Sequence, residues 1–209
     1  MIEGRCLCGT LRYAIDGPLT SMMNCHCSMC RKQHGAAFAT YVVAPIAGLR
    51  WIAGEDEVVR YRSSAQGSRA FCPRCGSVAP STMPAMGIAF VPAGNLLGDP
   101  GLRPKGHMFV GSKAPWHTIA DHLPQHEVYP PGFLAEGVPR PRVTPREGIT
   151  EGGCLCGEVA YELRGAPVRM MNCHCNRCRQ GRSAAHATNV FYAADALRFT
   201  RGAELVREY

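Results

Sequence analysis

Positions 1–61 of this chain lie over positions 149–209 without a gap, and 26 of the 61 pairs are identical. Glu3-Gly4 meets Glu151-Gly152, and Cys6-Leu7-Cys8-Gly9 meets Cys154-Leu155-Cys156-Gly157. Met22 to Cys27 returns unchanged as Met170 to Cys175. A period of 148 residues is too long for a solenoid of small units and implies two copies of a whole domain. The first copy runs on to Phe71-Cys72-Pro73-Arg74-Cys75-Gly76. The second stops at Tyr209, eleven residues short of where its own C-x-x-C would begin. The expectation is one complete domain and a partial second copy that folds poorly alone or borrows a partner through dimerisation.

The twelve cysteines decide the chemistry. The first residues carry no apolar run, so no secretory leader is expected. No stretch is long and apolar enough for a membrane span. A reducing cytoplasm is then the expected location, where clustered thiols read as metal ligands rather than disulfides. In the first copy seven cysteines form three groups, Cys6/Cys8, Cys25/Cys27/Cys30 and Cys72/Cys75. Crowded thiolates favour a soft cation, usually zinc. The Cys72-x-x-Cys75-Gly76 knuckle is half of a tetrahedral site, and glycine permits its tight turn. Cys6/Cys8 is the free pair that completes it, giving a closed structural zinc. Cys25, Cys27 and Cys30 then leave a fourth position open, the pattern of a catalytic zinc. Cys173, Cys175 and Cys178 are a candidate second-copy site. An iron–sulfur cluster and a purely redox set of thiols are the alternative readings.

Short β-prone runs bounded by Gly and Pro predict a mainly β fold: 10–15, 37–43, 49–52, 58–61, 88–91 and 108–110. Leu11, Tyr13 and Ile15 are expected on one strand face, and a turn of helix over 28–34. Six prolines between 124 and 145 read as a semi-rigid linker. The expected domains are 1–127, a linker over 128–148, and a partial copy over 149–209. His26, between two ligands, is expected to point away from the metal. His117, His122 and His126 lie in a proline-punctuated loop that argues against a further preformed site. Trp116 is expected in the core, with a substrate pocket as the alternative. Met22-Met23 and Met170-Met171 are expected to fill space beside the cysteines.

Cys6-Leu7-Cys8-Gly9, Asn24-Cys25-His26-Cys27-Ser28-Met29-Cys30-Arg31 and Phe71-Cys72-Pro73-Arg74-Cys75-Gly76 resemble the glutathione-dependent formaldehyde-activating (GFA) family. His107-Met108-Phe109-Val110-Gly111-Ser112-Lys113-Ala114-Pro115-Trp116 resembles its C-terminal part. The resemblance covers about residues 2–131, and 149–209 as an N-terminal half. It implies a zinc-containing β-tent of short antiparallel sheets. It assigns Cys6, Cys8, Cys72 and Cys75 to the structural zinc and Cys25, Cys27 and Cys30 to the catalytic one. The implied activity is a carbon–sulfur lyase forming S-hydroxymethylglutathione from formaldehyde and glutathione.

Zinc held by three thiolates is a weakened Lewis acid, which favours capture of a thiol over activation of water. The formal charge of +7 suits an anionic thiol such as glutathione. Arg31, directly after the last ligand, is the nearest candidate contact; Lys113 and Arg103 are others. Lys and Arg are not clustered in blocks, which argues against nucleic acid. The alternative function is a non-catalytic zinc module for a protein, nucleic-acid or small-thiol partner, since fold alone does not fix function.

Overall fold

The computed structural model describes residues 1–65, 67–133 and 146–209. The described chain is mainly β, with two short α-helices, α1 (Ser28–His34) and α2 (Asn176–Arg182). The first copy forms three small sheets. Ile2–Arg5, Arg12–Ile15 and Leu49–Ala53 pair antiparallel as one of them. Val59–Arg62, Ser68–Phe71 and Val78–Ala79 form another. The third is six-stranded, with Ser21–Cys25 and Ala39–Pro45 at its centre and Ile88–Pro92 and Ser81–Met83 beyond them. Its other side is short and parallel: His107–Met108 pairs with Ser21–Cys25, and Gln125–His126 pairs with His107–Met108.

The helix over 28–34 forms as the sequence suggests, capped by Cys27 and closed by Gly35 at φ 54°. Leu11, Tyr13 and Ile15 are all buried, but Ala14 between them is buried too. From Tyr13 to Ile15 the strand is therefore covered on both faces, while Arg12 at its start is exposed. The strand expected over 108–110 is instead the two-residue His107–Met108, and a 3-10 turn begins at Val110. The proline-rich stretch is not a bare spacer from its start. Gln125–His126 joins the large sheet, and Tyr129 packs beside the Cys25 cluster. The rest of the expected linker, 134–145, lies outside the described residues.

Three clusters hold the first copy together. Cys6, Leu11, Val58, Ala70, Cys72 and Ala79 form one, and Tyr13, Ile15, Val42, Ala44, Val91 and Leu96 a second. The third gathers Cys25, Cys27, Cys30, Ala39 and Met108. Two of the three cores are thus built around thiols.

The second copy repeats the same registers. Gly4 faces Tyr13 and Gly152 faces Tyr161; Cys25 faces Ala39 and Cys173 faces Ala187. A Cβ on Gly4 would collide with the Tyr13 ring, and one on Gly152 with the Tyr161 ring. The recurrent Glu-Gly therefore marks a strand position where a tyrosine lies across the backbone. What the second copy lacks is cover. Val42 is fully buried, whereas its equivalent Val190 is 43% exposed. Val168, Phe191, Leu197 and Phe199 are also exposed.

Candidate metal centres

The N-terminal strand turns at Cys6-Leu7-Cys8-Gly9, with Gly9 at φ 81°, and the distant knuckle turns at Gly76 with φ 71°. Gly9 N donates to Cys6 O, and Gly76 N donates to Cys72 O, so each pair of thiols is set on its own tight turn. The two turns meet. Cys6 Sγ lies 3.4 Å from Cys8 Sγ, and Cys8 Sγ lies 3.7 Å from Cys72 Sγ. All four sulfurs, including that of Cys75, fall within 4.8 Å of one another. A tetrahedron of thiolates with zinc–sulfur bonds near 2.3 Å has edges of about 3.8 Å, so the donors fit that ion in number, kind and size. Backbone and hydroxyl groups surround the sulfurs: Leu11 N donates to Cys6 Sγ at 3.3 Å, and Ser77 Oγ accepts from Leu7 N at 3.1 Å. Burial pushes the Cys8 thiol up, but the hydrogen bonds from Thr10, Cys6 and Cys75 outweigh it and bring it down to about 6. At Cys6 burial wins instead and raises the thiol well above the ordinary range.

The second cluster is Cys25 at the end of a central strand, Cys27 at the N-cap of α1 and Cys30 in its first turn, all three buried. Their sulfurs also lie within 4.8 Å of one another. Cys27 Sγ accepts from Cys30 N at 3.3 Å. Hydrogen bonds from Cys25 and Cys30, with that backbone N–H, hold the Cys27 thiol far below its usual range. Its bond to Cys27 drives Cys25 well above it. Three thiols sharing one negative charge in a helix-capping position form a soft, anionic donor set.

This cluster lies at the wall of a cavity of about 540 Å³. Tyr41, Phe90, Met29, Met83 and Met108 give the cavity apolar surfaces, and Ser63, Ser64 and Ser68 give it hydroxyls. Its cation among the described lining residues is Arg69, from the strand Ser68–Phe71. Arg69 Nη1 lies 3.6 Å from Cys30 Sγ and donates to Gln33 Oε1 at 2.7 Å. Burial opposes the guanidinium charge, but the acidic groups of Cys30, Tyr41 and Cys27 around it outweigh that and raise its pKa above the free value. Sequence reasoning missed Arg69. No local spacing could have revealed it, because Arg69 is 39 residues from Cys30. The basic residues singled out from the sequence sit elsewhere. Arg31 Nε donates to His26 O at 3.2 Å, Lys113 Nζ to His117 O at 3.1 Å, and exposed Arg103 pairs with Asp99. None of the three is among the cavity's lining residues.

His26 points away from the thiols, as its place between two ligands suggests. Asp121 accepts from His107 Nε2 at 3.1 Å, so His107 Nδ1 is left to accept from His26 Nε2 at 2.8 Å. Burial, with His107 and His117 nearby, lowers His26 to about 4. His117 stacks on His26 at 5.7 Å instead of joining His122 and His126 in a metal set. Trp116 is 49% exposed, neither core nor cavity wall. Met23 packs beside the thiols, while Met22 belongs to the neighbouring core.

In the second copy Cys173, Cys175 and Cys178 again bring their sulfurs within 4.8 Å. Cys175 repeats the N-cap role, accepting from Cys178 N at 3.4 Å. This cluster is open to solvent, with Cys175 exposed. Cys154 and Cys156 lie 3.3 Å apart and belong to no larger thiol cluster among the described residues. All twelve cysteines are free of disulfides. Among the described residues, no helix is long and apolar enough to cross a membrane.

A relative from Halomonas elongata, bearing the name of a glutathione-dependent formaldehyde-activating enzyme, is 30% identical over 83 residues. That match covers 37% of this chain and 53% of the relative, so the chain spans about half of that relative's length. A crystal structure of a Rhodobacter sphaeroides protein superposes with a TM-score of 0.40 at 22% identity, over 46% of this chain and 89% of the other. The glutathione-dependent formaldehyde-activating enzyme family matches at residues 1–112 and again at 149–209. Both copies carry its signature, and the chain belongs to the GFA family.

Proposed function

We propose that the first copy is a zinc-dependent carbon–sulfur lyase that forms or cleaves a thiol–aldehyde adduct such as S-hydroxymethylglutathione. The observation that carries this reading is the buried Cys25/Cys27/Cys30 cluster on the wall of a cavity large enough for a small thiol. A purely structural zinc module has no use for such an opening. In this proposal Cys6, Cys8, Cys72 and Cys75 hold a closed structural zinc, and Cys25, Cys27 and Cys30 hold the working one. Zinc bound there supplies a centre that lowers a thiol's pKa and polarises an aldehyde oxygen. The chain's own residues do the rest. Arg69 balances the thiolate charge at Cys30 and offers the cation that an anionic thiol needs, the role that Arg31 was expected to fill. The aromatic and methionine side chains keep water from the adduct's carbon, and the serine hydroxyls receive its polar end. Formaldehyde and glutathione themselves are taken from the family name. Residues 1–127, with Tyr129 and Phe133 of the following stretch on the cavity wall, are the working unit, and 149–209 are a partial copy with a further candidate zinc site. The abundance of free thiols suits the reducing cytoplasm.

Because thiol and formaldehyde combine without help, the test is a rate of exchange. Exchange NMR between free glutathione and its hydroxymethyl adduct will show faster interconversion with the zinc-loaded protein than in buffer. Cys27→Ser brings the rate back to that of buffer. A Cys27→Ser variant as fast as the parent would sink the assignment.

A further inference from the structure

The two copies meet at the ends of their helices, and equivalent residues face each other there. His34 Nδ1 contacts Arg182 O at 2.9 Å, and these two positions are 148 residues apart, one repeat period. The equivalents Phe38 and His186 meet edge to face at 5.4 Å. Contact of a position with its own equivalent is the mark of a two-fold, isologous interface. Around this axis Ser77 Oγ donates to Gln180 O at 2.9 Å, and Val78 N donates to Ser183 Oγ at 2.8 Å. Gly94 lies against the backbone of Ala184 so closely that a Cβ could not fit. Of the buried residues described in the second copy, Ser183, Ala184 and His186 meet the first copy directly, Ala187 follows them in sequence, and Glu162 stands apart. The core that the second copy lacks on its own is the surface of the first.

The seam also leads to the cavity. A carbonyl can only accept, so His34 Nδ1 carries its hydrogen toward Arg182 O. His34 is fully buried, and burial lowers its pKa to about 4, so the ring is neutral. Its Nε2 must then accept from the Tyr41 hydroxyl, 2.8 Å away. Tyr41 lines the cavity and packs on the cluster of Cys25, Cys27 and Cys30. The pair exists in one copy only, because the equivalents of His34 and Tyr41 are Arg182 and Asn189. The geometry points to a pseudo-dimer held within one chain, whose second copy sets the wall of the first copy's metal cavity through Arg182, His34 and Tyr41. His34 and Tyr41 act as positioning residues, with the second copy's helix end fixing which nitrogen of His34 is protonated.

The tautomer can be read without substrate, so this inference stands or falls separately from the proposed reaction. The zinc-loaded full chain, labelled with ¹⁵N-histidine, is expected to show His34 as a single Nδ1–H tautomer. Gly94→Leu drives the copies apart, since the atoms nearest to its Cβ belong to Ser183 and Ala184. Amide exchange over 183–187 is expected to rise at least tenfold, and the His34 signal to average between tautomers, with zinc content unchanged. Ser183→Val acts from the second copy's side, where it cannot unfold the first, and is expected to give the same result. A His34 that keeps its Nδ1–H tautomer after the seam opens overturns the link to the cavity. Amide exchange over 183–187 unchanged in both variants overturns the pseudo-dimer.

Discussion

Arg69 bridges Cys30 Sγ and Gln33 Oε1, so one side chain carries both the charge balance and part of the cavity wall. Replacing it with Met removes a cation that opposes little else, and the KM for an anionic thiol is expected to rise about tenfold while zinc stays bound. Arg31→Met, whose side chain reaches only the His26 carbonyl, is expected to change KM less than twofold. Equal effects in steady-state kinetics would remove Arg69 from the proposal. His34 gives a pH prediction. Its pKa falls from 6.5 to about 4 on folding because it is buried. The unfolded chain therefore binds the proton first as pH drops, and stability is lost from about pH 6.5 down to about 4, by roughly 3 kcal/mol in all. His34→Gln is expected to flatten the pH slope of urea unfolding by about one proton in that window; an unchanged slope would mean that His34 titrates normally. The cysteine clusters were legible in the sequence because a knuckle is a local object, fixed by spacing and a following glycine. Arg69 and the His26–His107–Asp121 chain were not. Each depends on strand pairings that join distant residues: His107 lies opposite Asn24 and Asp121 follows it by 14 residues.

Elements show the same division. The helix Ser28–His34 was readable from one turn of sequence, because its cap is a cysteine of the cluster and its stop is a glycine. Strands with alternating apolar residues were readable too, though with shifted ends. Those missed, Ser21–Cys25 and Ser68–Phe71 among them, carry Asn, Ser, Arg or Cys at positions that the site rather than the core dictates. Gly4 shows how pairing fixes a residue. Gly4→Ala would force its methyl into the Tyr13 ring and is expected to cost about 1–3 kcal/mol in urea unfolding; a neutral effect would mean that the ring can move aside. Cys75→Ala removes one thiol of the quartet joining the N-terminal turn to the knuckle. A metal held there would contribute folding energy, so near-ultraviolet circular dichroism is expected to show loss of the first copy's packing. A natively packed Cys75→Ala protein would make the quartet dispensable.

For the whole molecule, the repeat was the plainest signal in the sequence, and what the repeat does was the least plain. The second copy was expected to need a partner, and it packs its few buried residues against the first. No spacing rule announces that contact, because Gly94 and Ala184 are 90 positions apart and neither type is distinctive. The central claim is that the first copy holds two metal centres of different kinds, and native mass spectrometry of the intact chain tests it most directly. The parent is expected to carry at least two zinc ions, Cys27→Ala one fewer with its fold intact, and Cys75→Ala to lose metal together with the fold. A chain carrying no zinc, or one whose zinc count is the same in parent and Cys27→Ala, would contradict the account.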